Sequence, residues 1–208
     1  MAAVEALLMD FGGVLTTPGR AHLDVFCQEE DIDETQLKGF LGRCYRAPTD
    51  DDPLALLETG RLSLADFETT MAQRLSARFG RPISPRGLAA RLQGDLSIEW
   101  PMVREVHRLR EAGVATAMVS NSWSDDQYPE AVLAAFDVVV LSRHVGVRKP
   151  DRQFLDLALG RLATRPETCV FVDDIGVNCE VAASLGMQVL HHREPAQTLA
   201  ALAAAFGR

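Results

Sequence analysis

Lysine is nearly missing from this chain. Its 208 residues carry 21 basic side chains, and only Lys38 and Lys149 among them are lysines. No run of basic residues breaks the acidic balance, and the net charge is −8. Nucleic acid and anionic membrane are therefore poor candidate partners. The four cysteines, Cys27, Cys44, Cys169 and Cys179, show no CxxC spacing, which argues against a dithiol or zinc motif and suits reduced, structural thiols. No apolar run approaches the roughly 18 residues of a membrane span. No basic stretch followed by a long apolar one opens the chain, so no secretory leader is expected and a cytoplasmic location is. Repeats and low-complexity linkers are also lacking. What remains is an ordinary globular composition, 47% hydrophobic, long enough for one domain with a sizeable insertion.

Against that background the residues present at strand ends stand out. Residues 4–9 form a short apolar run that leads directly into Asp10-Phe11-Gly12-Gly13-Val14-Leu15. The same pattern recurs where residues 115–119 run into Ser120-Asn121, and where 169–172 run into Asp173-Asp174. In α/β sheets the carboxyl ends of parallel strands converge on one crevice. Asp10 there can act as a nucleophile or a metal ligand. The glycines, Gly13 included, let backbone N–H groups face an anion at close range. Ser120 and Asn121 offer a hydroxyl and an amide for phosphate oxygens. Lys149-Pro150 precedes a helix N-terminus, itself an anion-favouring place, and supplies a compact point charge. Three convergent carboxylates repel one another by roughly 1–4 kcal/mol per pair at 4 Å. A divalent cation relieves this, and oxygen-only ligands suit Mg²⁺. Asn178, one helical turn into the following helix, can face the same pocket.

The remainder organises around these motifs. Residues 18–97 read as helices and turns without a convincing strand: 22–30, 35–45, 50–59 and, most clearly, 63–79. In the last of these Leu64, Phe67, Met71, Leu75 and Phe79 recur at helical spacing. Ser63 and Asp66 make a capping box there, and Gly80 ends the helix. From Trp100 onward strand and helix alternate, with helices at 101–111, 129–135, 151–162, 177–185 and 195–206. Strands are expected at 114–119, 138–141, 168–172 and 187–190. Alternation of this kind implies a parallel sheet wrapped on both faces. Asp151 serves as a helix N-cap. Asp50-Asp51-Asp52 reads as a solvated helix start. His191-His192 reads as a loop pair whose side chains point to opposite sides. Trp123 suits either substrate contact or packing.

Taken in order, Asp10-Phe-Gly-Gly-Val-Leu-Thr, Ser120-Asn121, Lys149-Pro150 and Phe171-Val-Asp-Asp174 with Asn178 resemble the motifs of the haloacid dehalogenase-like hydrolase superfamily. The resemblance covers nearly the whole chain. The stretch from Val172 to Met187 is similar to the phosphatase domain joined to soluble epoxide hydrolases and to bacterial sugar-phosphate phosphatases. Glu58-Thr-Gly-Arg-Leu-Ser63 is similar to a segment of their helical cap. The resemblance implies a Rossmann-like three-layer α/β core, residues 1–17 and 98–208, with an all-helical cap at 18–97. It implies a Mg²⁺-dependent hydrolase of small phosphorylated metabolites. Asp10 would attack phosphorus and form an aspartyl-phosphate. Ser120 and Asn121 would bind the phosphoryl group, and Lys149 would neutralise it. Asp10, the Gly12 carbonyl, Asp173 and Asp174 would hold Mg²⁺, with Asp174 the stronger candidate for direct ligation and Asn178 in support. One position departs from the pattern: a second Asp, the usual general acid and base, is replaced by Gly12. Thr16, Thr17, His22 or substrate-bound water could substitute. Two alternatives share the resemblance. One is carbon–halogen or phosphonate hydrolysis, for which Lys38 would be the only cap lysine. The other is a phosphate-binding or interaction module without turnover.

Overall fold

The computed structural model describes residues 4–18, 23–46, 49 and 51–207. Five strands, β1 (Ala6–Met9), β2 (Ala115–Ser120), β3 (Val138–Leu141), β4 (Cys169–Asp173) and β5 (Gln188–His191), form one sheet in the order β3-β2-β1-β4-β5. Every pairing is parallel. The first strand is thus the central one. All four of its residues are fully buried, which is why it reads as an unbroken apolar run rather than an alternation. The pleat sends Leu7 and Met9 to one face and Ala6 and Leu8 to the other.

After β1, the described residues up to 93 include the helices α1 (Leu23–Glu30), α2 (Glu34–Arg46), α3 (Pro53–Glu58), α4 (Leu64–Phe79) and α5 (Leu88–Gln93). They bury a cluster of their own, with Phe26, Leu37, Leu54, Phe67, Met71, Leu75 and Leu88 at its centre. The entry to and exit from this segment lie side by side. Thr16 bridges Ile98, the Thr17 N–H donates to the Ser97 carbonyl at 2.8 Å, and the Glu99 N–H donates to the Leu15 carbonyl at 2.8 Å. The Ser63–Asp66 box forms: the Asp66 N–H donates to Ser63 Oγ at 3.1 Å, and that hydroxyl donates to Asp66 Oδ2.

The rest of the chain alternates as its pattern implies: α6 (Trp100–Glu111), α7 (Glu130–Leu133), α8 (Ser142–Val145), α9 (Arg152–Leu162), α10 (Gly176–Ser184) and α11 (Pro195–Phe206). Met102, Val106 and Leu109 of α6 and Leu202 of α11 cover the Leu7 face. Phe154, Leu155 and Ala158 of α9 and Ala182 of α10 cover the Leu8 face. The result is a three-layer α/β sandwich. Two helices go beyond the sequence reading. With six and four residues, α5 and α8 are too short for a 3.6-residue period to show. Among the described residues no helix is long and apolar enough to cross a membrane.

Candidate active site

β1 lies between β2 and β4, and the chain winds away on opposite sides of it. This reversal of strand order opens a crevice at the carboxyl ends. Asp10 sits there, its N–H donating to the Val172 carbonyl at 2.9 Å. Ser120 ends β2 and Asp173 ends β4. Carboxylate oxygens of Asp10, Asp173 and Asp174 come within 4.8 Å of one another. The buried Lys149 ammonium bridges two of them, at 2.7 Å from Asp10 Oδ1 and 2.7 Å from Asp173 Oδ2.

The oxygens are not equivalent. Asp173 is wholly engaged: Oδ2 takes Lys149, while Oδ1 accepts from the Ile175 N–H at 2.8 Å and from Asn178 Nδ2 at 2.9 Å. On Asp10 both bonds fall on Oδ1, from Lys149 and from the Phe11 N–H at 2.7 Å. Burial, above all, raises the Asp10 pKa, Lys149 opposes it, and Asp173 and Asp174 add to the rise. The Lys149 pKa is raised as well, because its two carboxylates outweigh its own burial. The two directions agree once the charges are counted. Lys149 pairs with Asp10 and Asp173, and the three neighbouring carboxylates offer oxygen donors only, a set that fits a divalent cation of the Mg²⁺ class.

The turn after Asp10 shows what its glycines do. Gly13 has φ +74°, and a Cβ there would lie 2.9 Å from Asp174 Oδ2. Its N–H donates to Thr16 Oγ1 at 3.0 Å. This N–H is thus used by the turn itself. Gly13 is needed for close approach. At Gly12 a Cβ would meet nothing within 4 Å. Thr16 is buried and its hydroxyl donates to the Thr17 carbonyl at 3.0 Å. Thr17 Oγ1 accepts from the Ser97 N–H at 3.1 Å. His22 and Asp50 lie outside the described residues.

Asn121 is likewise engaged within the protein. Its side chain braces the loop that carries the lysine: Nδ2 donates to the Lys149 carbonyl at 2.9 Å and to Glu58 Oε2 at 3.2 Å, and Oδ1 accepts from the Lys149 N–H at 2.9 Å. With both amide hydrogens engaged, the side chain has no donor left for phosphate. The same Glu58 pairs with Arg148 through Oε2 and accepts from Trp123 Nε1 at 3.1 Å. Burial raises the Glu58 pKa, and Arg148 is the main opposing influence. Arg148 and Tyr128 escape the sequence reading. Arg148 adjoins a recognisable lysine but looks like any of the chain's other arginines, and Tyr128 lies in an irregular segment without a motif.

Other expected residues fall in bland roles. Trp123 packs on Phe67 at 5.4 Å between ring centroids. Lys38 is half-exposed on α2 and pairs with Glu34 one turn away. Asp52 caps α3. His191 is exposed and bonded to the Asp174 carbonyl at 3.0 Å, whereas His192 is buried and bonded to Thr198 Oγ1 at 2.8 Å. All four cysteines are buried and free.

Fold and cluster together define a class: doubly wound α/β proteins with acids at the ends of neighbouring central strands. Within it, this chain belongs to the haloacid dehalogenase-like hydrolase family, whose sequence profile matches residues 4–186. The chain is 25% identical over 207 residues to pig (Sus scrofa) bifunctional epoxide hydrolase 2, covering 92% of this chain and 37% of that protein. It is 28% identical over 210 residues to mouse (Mus musculus) acyl-CoA dehydrogenase family member 10, covering 98% of this chain and 19% of that one. The chain thus spans well under half the length of these relatives. A Bacteroides thetaiotaomicron enzyme of the same family, solved as an Asp-to-Ala variant with magnesium and inorganic phosphate, superposes with a TM-score of 0.65 at 19% identity. That match covers 92% of this chain and 95% of the other.

Proposed function

We propose that the protein is a Mg²⁺-dependent phosphomonoester hydrolase for a small phosphorylated metabolite, with residues 1–17 and 98–208 as catalytic core and 18–97 as a helical cap. The observation that carries this reading is the buried Lys149 ammonium between Asp10 and Asp173, with Asp174 alongside. Asp10 and Asp174, with the Gly12 carbonyl, would hold Mg²⁺. When bound, the ion supplies charge neutralisation for the phosphoryl group and lets a carboxylate approach it. Asp173, fully engaged by its own donors, holds Lys149 and Asn178 in place behind that site.

The chain's own groups divide the work. Asp10 Oδ2, which neither Lys149 nor Phe11 uses, attacks phosphorus. The P–O bond to the alcohol breaks, and its electron pair stays with the leaving oxygen. Water then cleaves the aspartyl-phosphate, returning Asp10 and releasing inorganic phosphate. Lys149 fixes Asp10 and offsets developing charge, and the Ser120 hydroxyl donates to a phosphoryl oxygen. Asn121 contributes by holding Lys149. No carboxylic acid stands at position 12 to protonate the leaving oxygen, so the substrates hydrolysed fastest are those with acidic leaving groups, protonated by water.

The test is a panel of phosphorylated metabolites, with p-nitrophenyl phosphate as a good-leaving-group control, assayed with Mg²⁺ and with EDTA. Turnover confined to the Mg²⁺ arm and abolished by Asp10→Asn supports the reading. Equal rates in both arms would remove the metal, and no hydrolysis of any compound would remove the reaction.

A further inference from the structure

We infer that Tyr128 is a positioning residue that commits the Ser120 hydroxyl to donate into the crevice. This rests on the phosphoryl-transfer reading above. The Tyr128 hydroxyl donates to Ser120 Oγ at 2.9 Å, and both groups are buried. Its ring packs against Phe11, the residue after the nucleophile, with 4.7 Å between centroids. The phenol is thus wedged between the two strand ends whose side chains must meet the phosphoryl group.

Hydrogen-bond capacity sets the roles of the two hydroxyls. A serine hydroxyl has one hydrogen and two lone pairs. Alone in a crevice it rotates, and it can present either to an incoming anion. Tyr128 occupies a lone pair. Ser120's own hydrogen is then left to turn away from the phenol, toward the crevice. A phosphoryl oxygen would complete the chain, from phenol to serine to phosphate, in which each bond polarises the next. Burial raises the Tyr128 pKa and outweighs its side-chain hydrogen bonds with Ser120, Ser122 and Gln127, which lower it. The phenol therefore keeps the hydrogen it needs to donate. Tyr128 has no free path to the leaving group, because its hydroxyl is buried and turned to Ser120. It orients a donor and does not replace the acid missing at Gly12.

The experiment is a two-residue cycle in the intact chain with p-nitrophenyl phosphate and Mg²⁺. Tyr128→Phe keeps the ring against Phe11 and deletes one oxygen. It is expected to lower kcat about 10–100-fold with little change in KM, as loss of a transition-state donor does. Ser120→Ala is expected to cost at least as much. The double variant should be no slower than Ser120→Ala, because the tyrosine acts only through the serine. Orthovanadate inhibition should weaken in parallel in Tyr128→Phe. Thermal unfolding is followed for each variant, and if Tyr128→Phe does not fold, Tyr128→Met takes its place in the cycle. Full kcat in the tyrosine variant, or losses that multiply in the double variant, would overturn the inference. A wild-type protein that hydrolyses no phosphomonoester would instead sink the phosphatase reading itself.

Discussion

Two neighbouring glycines in the first turn answer to opposite demands. Gly13 has a positive φ and lies against the Asp174 carboxylate. An alanine there meets both a backbone penalty of about 1 kcal/mol and a contact that pushes Asp174 away. Gly13→Ala is expected to reduce Mg²⁺ affinity at least tenfold, measured by calorimetry. Gly12 is unconfined, with an exposed position and nothing within 4 Å of an added Cβ. Gly12→Asp should therefore fold as well as the natural chain. General acid–base help is worth roughly 10²–10⁴-fold, so this variant is expected to raise turnover of alkyl phosphates by at least tenfold and of p-nitrophenyl phosphate much less. An unchanged alkyl rate would show that the proton already comes from elsewhere. Asp10 itself has a pKa raised chiefly by burial, so its carboxylate takes up a proton more readily than an ordinary one as pH falls. Cation binding should expel that proton, and Mg²⁺ affinity should rise with pH. Calorimetry in buffers of different ionisation enthalpy reads this directly, and buffer-independent heats would refute it.

At the scale of elements, α3 is tied to the α/β layers by more than packing. Glu58, at its last position, joins Arg148, Trp123 and Asn121, and its carbonyl accepts from Ser142 at the start of α8. Two residues later Gly60, at φ +71°, passes so close to α8 that a Cβ would lie 2.5 Å from the Arg143 carbonyl. Arg148 also donates to the Cys44 carbonyl of α2 at 2.6 Å. The helical segment is therefore clamped to the very loop that carries Lys149. Removing one partner of a buried pair leaves a charge stranded in an apolar interior and costs about 3–5 kcal/mol. Glu58→Ala should lose about that much stability in urea unfolding. Glu58→Leu with Arg148→Met should recover most of it. The segment containing Glu58 was recognisable in the sequence, but its partner was not: 90 residues separate the two, and no local pattern links them. The helix α4 shows the contrary case. Ser63, Gly80 and the spacing of Phe67, Met71 and Leu75 announce it in full, because capping and amphipathicity are local. Asp10, Ser120, Lys149 and Asp173 were legible for a similar reason: each ends a strand or opens a helix. The direction in which Asn121 and the Gly13 N–H would point was not, since competing partners close by decide it.

Across the whole molecule the thiols report on burial. Cys44 and Cys179 have pKa values pushed up to about 12, burial being the first cause in each. At pH 8 about one thiol in 10⁴ would be ionised, so the native protein should react with thiol reagents orders of magnitude more slowly than the urea-unfolded chain. The linkage has a definite sign. Between the ordinary cysteine value of 9.0 and about 12 the folded state keeps protons that the unfolded state releases. Stability contributed by these sites is thus complete below pH 9 and falls as pH rises toward 12. A denaturation series from pH 8 to 11 should show this decline, and Cys44→Ala with Cys179→Ala should flatten it.

The central place of the first strand also governs the order in which the molecule can assemble. Ala6 is aligned with Ala115 on one side and Cys169 on the other, so this strand waits for partners made much later in the chain. Loop closure over such separations is slow, whereas α1 to α5 bury a cluster drawn almost wholly from their own stretch of chain. On the ribosome the helical segment is free to condense first, while Leu7 and Leu8 stay uncovered until β4 emerges. Pulse-labelled hydrogen exchange during refolding should accordingly protect the amides of α4 before those of β1.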